Sequence, residues 1–299
     1  MSNELLLTKL EKYSNLFIKE KKVLNSSINT ISTYSRILNS FYEYILDIDD
    51  LEELTDIDKE ILINFLTYSE NSANSSQILK LAVLKSFFIF VDEKEQLGGL
   101  FELRFKKLTI KKESTEVDAL SGGEVERLLG LFKKSSGSFN KNRDALLIKL
   151  ILFTGIRASE CLAIKVSDIS LIEDDSVYKI KISGKGSKER FVYIRSETIF
   201  REHDFLISQG YITNYIAVTN TGKVMTRVGL YNVITNKMKK ARIAKSGVHI
   251  LRHTFARNLV NKNVNLKTIS ELLGHADITL TARTYARSDE ESKIRAVCN

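Results

Sequence analysis

Two short clusters, His249-x-x-Arg252 and Leu273-Gly274-His275, are followed by Tyr285 and preceded by Thr154-Gly155-Ile156-Arg157. Two guanidiniums, two imidazoles and a phenol in that order are what a protein needs to hold a phosphodiester and attack it covalently. A phosphodiester repels nucleophiles through its own charge, and planar bidentate guanidiniums neutralise its non-bridging oxygens as charge builds in the transition state. A Tyr hydroxyl can form a covalent ester and later leave, which conserves the bond energy and removes any need for ATP. The leaving oxygen needs a proton, which Lys185 on Gly184-Lys185-Gly186-Ser187 can supply, and a histidine can exchange one with the phenol.

Each piece is weak alone, because a chain with four histidines and many arginines meets H-x-x-R readily by chance. Arg157 could be a surface helix-start residue and Lys185 a plain hairpin-tip cation, with Lys188 and Arg190 as close rivals. His275 could be a helix-cap neighbour and Tyr285 a core aromatic. His249 and His253 stand four apart, as in a zinc helix, but Ile250 occupies the place where a metalloprotease needs Glu. No metal and no other cofactor is therefore expected. Glu160 and His253 are read as supports for neighbouring groups, and His203, with no motif around it, as a solvated histidine.

The elements that must position these residues can be read from periodicity. Leu5 to Phe17, then Thr30, Tyr34, Leu38, Phe41 and Ile45, then Ile61, Phe65 and Tyr68, then Ile78, Leu81, Leu84, Phe88 and Val91 recur at three- and four-residue steps. This predicts about four amphipathic helices in the first third. Thr55-x-x-Asp58 and Ser121-x-x-Glu124 read as capping boxes that start helices. Lys106 to Asp118 is polar and aperiodic, so the domain boundary is placed there, giving domains 1–112 and 113–299.

Beyond that boundary an apolar helix over Asp144 to Phe153 stops at Thr154-Gly155. Helical spacing resumes at Ala158, which puts Arg157 beside free backbone N–H groups at a helix start. Tyr178, Ile180 and Ile182 alternate with lysines, Phe191 to Ile194 is a second β-rich run, and the Gly184–Ser187 turn between them makes a hairpin. Tyr215 to Thr219 reads as a short strand with a turn after it, and from Thr226 the chain is helical again. The fold class is thus mostly α with a small β-sheet.

Composition is that of a globular protein, with 43% hydrophobic and 27% charged residues. The N-terminus lacks a signal-peptide pattern and no stretch has the uninterrupted apolar run of a membrane span. A cytoplasmic location without membrane attachment is expected. Cys161 and Cys298 suggest free thiols. Net charge is +8, and the surplus lies entirely in 113–299, since 1–112 carries a small acidic excess. Such asymmetry suits a polyanionic partner.

TGIRASECLAI, GKGSKER, HILRHTFA and LGHADITLTARTY, in that order after the helical N-terminal region, resemble the tyrosine recombinases of the phage integrase group, most closely the Xer-type members. The resemblance is specific from about Asp118 to Tyr285; over the N-terminal region it rests on Thr30-x-x-x-Tyr34-x-x-x-Leu38-x-x-Phe41. It implies an N-terminal four-helix, SAM-like core-binding domain and a mixed α/β catalytic domain that close as a clamp on duplex DNA. By the same resemblance Arg157 and Arg252 hold the scissile phosphate, Lys185 is the general acid, His249 and His275 complete the pocket, and Tyr285 is the nucleophile. Four protomers on two recombination sites, with an activating partner protein, and a role in chromosome dimer resolution or mobile-element integration and excision are implied too. Tyr285 stands ten residues after His275, one more than is usual in the family, which a bulge or loop within Asp277 to Thr284 could absorb. A catalytically silent DNA-binding architectural protein and a type IB topoisomerase-like enzyme are the alternative functions.

Overall fold

The computed structural model describes residues 4–48, 51–68, 73–111, 118–134, 137–172, 174, 176–184, 189–210, 214–275 and 277–285. The protein divides into two compact units, Met1–Thr115 and Glu116–Asn299. It is mostly helical, with one small antiparallel sheet.

The first unit holds α1 (Glu4–Val23), α2 (Ile28–Leu46), α3 (Lys59–Thr67), α4 (Asn74–Glu95) and a short α5 (Leu100–Phe105). The predicted apolar stripes meet in one core of Phe17, Phe41, Phe65, Phe87, Phe88 and Phe105. Phe88 touches Phe41 edge-on and lies against Phe101 and Phe105. The helix α5 escaped the periodicity because it is barely two turns long. It is started by α4, whose buried Asp92 accepts the Phe101 and Glu102 N–H groups at 3.1 and 2.9 Å. By length and apolarity alone α4 could cross a membrane, yet Leu84, Phe87, Phe88 and Val91 lie fully inside the unit's core.

The expected Thr55–Asp58 box is not formed. Leu54–Asp56 is instead a 3₁₀ turn held by Asp56, which accepts the Glu52 and Glu53 N–H groups. Asp58 caps α3 by itself, accepting from Ile61 N–H at 2.9 Å, because a single-turn offset makes it the first residue outside the helix.

In the second unit the Ser121–Glu124 box starts α6 (Gly122–Gly130) as read, with both reciprocal bonds present. The helix α7 (Phe139–Thr154) is the central strut, buried on nearly every side through Leu146, Leu147, Ile148, Leu150 and Ile151. Next come α8 (Ala158–Ala163), β1 (Ile169–Ile172), β2 (Val177–Ser183) and β3 (Glu189–Arg195). Strand β2 pairs with both neighbours, with Tyr178 opposite Ile194 and Ile180 opposite Val192. Tyr178, Ile180 and Ile182 point into the core, as alternation requires. The unpredicted β1 has no clean alternation of burial to betray it.

Tyr215 to Thr219 makes only isolated bridges, Lys165 with Tyr215 and Val218 with Val224, in place of a full strand. The helices α9 (Ser196–Ser208), α10 (Arg227–Lys240), α11 (Val248–Asn261), α12 (Leu266–Leu273) and α13 (Ile278–Tyr285) complete the unit. His203 is not solvated. It is half-buried on α9 with its ring 5.1 Å from that of Tyr178, and burial lowers its pKa. Cys161 is free and fully buried, which pushes its thiol up to about 12. Residues 112–117 of the expected linker, the hairpin tip with Lys185 and Lys188, and Cys298 lie outside the described residues.

Candidate active site

Three helix ends build the site. The first is the C-terminus of α7. Gly155 adopts φ +67 and closes the helix with its N–H on the Ile151 carbonyl at 2.9 Å. Only glycine fits, since a Cβ there would lie 2.3 Å from Phe255 Cδ1 and 3.0 Å from Leu273 Cδ2. The second is the N-terminus of α8, where Arg157 is the cap residue. Glu160 reaches back to accept the Arg157 N–H at 2.7 Å, the supporting role the sequence suggests for it.

The third is the C-terminus of α12. There Gly274 at φ +63 and His275 close the helix, Gly274 N–H donating to Glu271 and His275 N–H to Ser270. This turn leaves the last carbonyls pointing outward with no helical partner, at the negative end of the helix. Three arginines take them. Arg190 Nε donates to the Leu272 carbonyl at 3.2 Å, Arg252 Nη2 to Leu273 at 2.8 Å and Arg157 Nη2 to Gly274 at 2.9 Å. Arg252, on the buried face of α11, also donates to the Gly155 carbonyl at 2.5 Å, so one guanidinium bridges the ends of α7 and α12. The motif Leu-Gly-His thus places the arginines as well as carrying its own histidine.

Arg252 Nη2 also lies 3.0 Å from His275 Nε2. A guanidinium can only donate, so Nε2 accepts and the neutral ring carries its proton on Nδ1. That Nδ1 lies 2.8 Å from Thr281 Oγ1, which is fully buried on α13 one turn before Tyr285. Burial first, then Arg252, Arg157 and Arg190, lower the His275 pKa to about 4. His253, half-buried on the next turn of α11, is lowered to about 4 by burial and then by His249, Arg252 and Arg257. His249 is exposed in the first turn of α11. Among the described residues no three His, Cys, Asp or Glu side chains cluster.

Among the described residues Glu160 is the one carboxylate bound to these arginines. It is 5% exposed and binds Arg190 through two parallel bonds of 2.8 and 2.9 Å and Arg157 Nη1 at 2.9 Å. Burial alone would raise its pKa, but the bonds from Arg190 and from Arg157 outweigh it and hold the carboxyl down to about 2.

The structure therefore brings together Arg157, Arg252 and His275. It sets His249 on the same helix as Arg252, and it ends α13 at Tyr285, whose side chain, like Lys185, lies outside what is described. The helix is unbroken from Ile278 to Tyr285, so the extra residue before the tyrosine is not a bulge inside it. Sequence reading missed Arg190 as a partner of Glu160, and it missed Thr281. The alternation of β3 pointed to Arg190, whose neighbours Phe191 and Tyr193 face solvent while it does not.

Residues 119–292 match the phage integrase family, and residues 10–94 match the phage integrase N-terminal SAM-like domain. The chain is 32% identical to the tyrosine recombinase XerH of Campylobacter jejuni, over 91% of this chain and 78% of that one. It is 29% identical to the tyrosine recombinase XerD of Oceanobacillus iheyensis, over 85% of this chain and 86% of that one. Its fold is similar to that of the XerH site-specific recombinase crystallised on a palindromic difH substrate as a post-cleavage complex, with a TM-score of 0.74 and 27% identity over 97% of this chain and 83% of that one. A matched family region spanning more than half of the chain, with the arginine-lined corner inside it, shows that this protein belongs to the phage integrase family of tyrosine recombinases.

Proposed function

We propose that the protein cuts and rejoins duplex DNA at a specific site through a covalent 3′-phosphotyrosyl intermediate, with Tyr285 as the nucleophile. The observation that carries this reading is the convergence of Arg157 and Arg252 on the α12 carbonyls, with His275 tied to Thr281 one turn before that tyrosine. In this reading Arg157 and Arg252 hold the non-bridging oxygens, and His275 adds a polar contact from its fixed tautomer. His249 lines the open side, and Lys185 protonates the leaving 5′ oxygen. Residues 1–112 act as the DNA-gripping domain and 113–299 as the catalytic domain, which carries the cationic surplus. Four protomers assemble on two sites in the cytoplasm, with an activating partner, in chromosome dimer resolution or mobile-element movement.

The test begins with sheared chromosomal DNA of the source organism. Protein mixed with it, denatured and recovered, retains covalently bound fragments whose sequences define the site. A nicked duplex of that site, from which the cleaved piece diffuses away, then traps wild type as a band of retarded mobility on a denaturing gel. Tyr285→Phe keeps the ring and removes the oxygen, so it binds this duplex normally and gives no adduct. An adduct from the Phe variant defeats the assignment. Because arginine and lysine supply the positive charge, excess EDTA leaves the adduct yield unchanged.

A further inference from the structure

Arg190 raises a question of charge. Among the described residues the corner holds three guanidiniums and one buried carboxylate, Glu160, which leaves a surplus of two positive charges. A phosphodiester carries one negative charge and its five-coordinate transition state carries about two, so two guanidiniums match the substrate and the third has another task. The geometry separates them. Arg190 uses all three of its nitrogens on the protein, two on Glu160 and one on the Leu272 carbonyl, and its side chain is 17% exposed. Its guanidinium lies flat against Gly274, where a Cβ would stand 2.8 Å from Cζ. Arg157 gives Glu160 a single side-chain bond and its side chain is 39% exposed.

We propose that Arg190 is a positioning residue that serves as the dedicated counter-charge of Glu160, so that Arg157 gives that carboxylate only one side-chain bond and keeps the exposed part of its guanidinium for the scissile phosphate. Glu160 is needed where it is, because it fixes the Arg157 backbone at the start of α8. A buried carboxylate there, if it had only Arg157 to answer it, would compete with the phosphate for the same guanidinium. Arg190 satisfies that carboxylate with a bidentate pair and ties β3 to the Leu272 carbonyl at the end of α12. The inference rests on the proposed role of Arg157.

The experiment is a double-variant cycle on the nicked duplex, reading the rate of adduct formation beside DNA affinity. Arg190→Gln slows adduct formation on the order of 10²-fold, the usual effect of a misplaced reacting group, while DNA affinity stays within a few-fold. Adding Glu160→Gln to it removes the competing carboxylate and restores at least tenfold of the loss. A duplex with a 5′-bridging sulfur, which leaves without a proton, does not rescue Arg190→Gln, because the defect is at the phosphate and not at the leaving group. A double variant no faster than Arg190→Gln, full rescue by sulfur, or an unaffected Arg190→Gln overturns the proposal. If Arg190→Gln does not fold, the step from Glu160→Gln to the double variant decides. Near-unity supports the counter-charge role and a loss of tenfold or more refutes it. Failure of wild type to form any adduct defeats the reading of the whole site and this inference with it, whereas a normal wild-type adduct beside an indifferent Arg190→Gln defeats this inference alone.

Discussion

In Met1–Thr115 the side chains withdrawn from water are aromatic and aliphatic, and Asp92 is the one buried polar group among the described residues. In Glu116–Asn299 the same burial takes in Asn142, Arg143, Asp144, Glu160, Glu202 and Arg252, together with several hydroxyls. A phenylalanine core is stable through area and packing alone, at about 25 cal/mol per Å² of apolar surface. Buried charge has no such return and is held only by complete hydrogen bonding. The first unit is thus built to keep its shape, and the second accepts internal charge, which sets three guanidiniums around the end of α12.

The largest expected effect attacks the charged side of this contrast. Arg252→Met keeps the volume and is apolar, the kind of exchange the first unit would tolerate at a buried position. Here it strands the Gly155 and Leu273 carbonyls and His275 Nε2. Each buried acceptor left unmet costs about 1–3 kcal/mol, and if Arg252 is the phosphate donor proposed above, cleavage falls by ~10³-fold or more. Thermal melting and adduct yield measure both, and a variant that melts like wild type would show that the charge is not structural.

The second effect comes from the apolar side. Phe88→Ala opens a hole between Phe41, Phe101 and Phe105 and costs about 3–5 kcal/mol. Peptide-resolved hydrogen exchange should show α3 to α5 opening faster while α7 and α11 keep their protection. Equal acceleration in both units would mean that they do not fail separately.

How much of this was legible in advance follows the same divide. The stripes of α1 to α4 were plain because local periodicity and long-range burial coincide there. The Ser121–Glu124 box and the stop at Gly155 were plain too, since capping is settled within a few residues. The hairpin followed from alternation. Arg157, Arg252 and His275 were legible as a set by type and order. What holds them was not. Arg190 meets Glu160 from thirty positions away, and the α12 carbonyls that orient three arginines belong to the backbone and leave no trace in residue identity. Thr55–Asp58 misled because the box pattern ignores the 3₁₀ turn that Asp56 makes in front of it.

A smaller effect tests the backbone part of the site. Gly155→Ala forces a Cβ into a left-handed residue against Phe255 and Leu273. Strain at that φ costs roughly 1–2 kcal/mol, and the overpacking adds to it. Since the Gly155 carbonyl holds Arg252, adduct formation slows together with the fall in melting temperature. Gly130→Ala, whose new methyl group would have no neighbour within 4 Å, is the control and leaves both unchanged.

The smallest effect is one of pH, and in the histidine range it falls on the second unit, which holds every histidine of the chain. Folded His275 takes up a proton only near pH 4, because burial and then Arg252, Arg157 and Arg190 oppose it, whereas an unfolded histidine takes one near 6.5. The unfolded chain therefore binds more protons between these values, so the contribution of His275 to stability is complete above about pH 6.5 and is lost as pH falls towards 4. Glu160 behaves alike in a lower window, its contribution complete above the usual carboxylate range and lost as pH falls towards 2. Hydrogen exchange across a pH series, corrected for the intrinsic rate, should show α11 to α13 loosening first between pH 6.5 and 4, while α1 to α4 hold. His275→Gln has no proton to gain and should reduce that slope, leaving the part that His253 contributes in the same window. Nitrogen-15 shifts of the ring at pH 7 should report the Nδ1–H tautomer that the Arg252 and Thr281 contacts require. A ring protonated on Nε2 would break the link between the guanidinium and α13, and with it the account of how the helix that ends at Tyr285 is held beside the arginines.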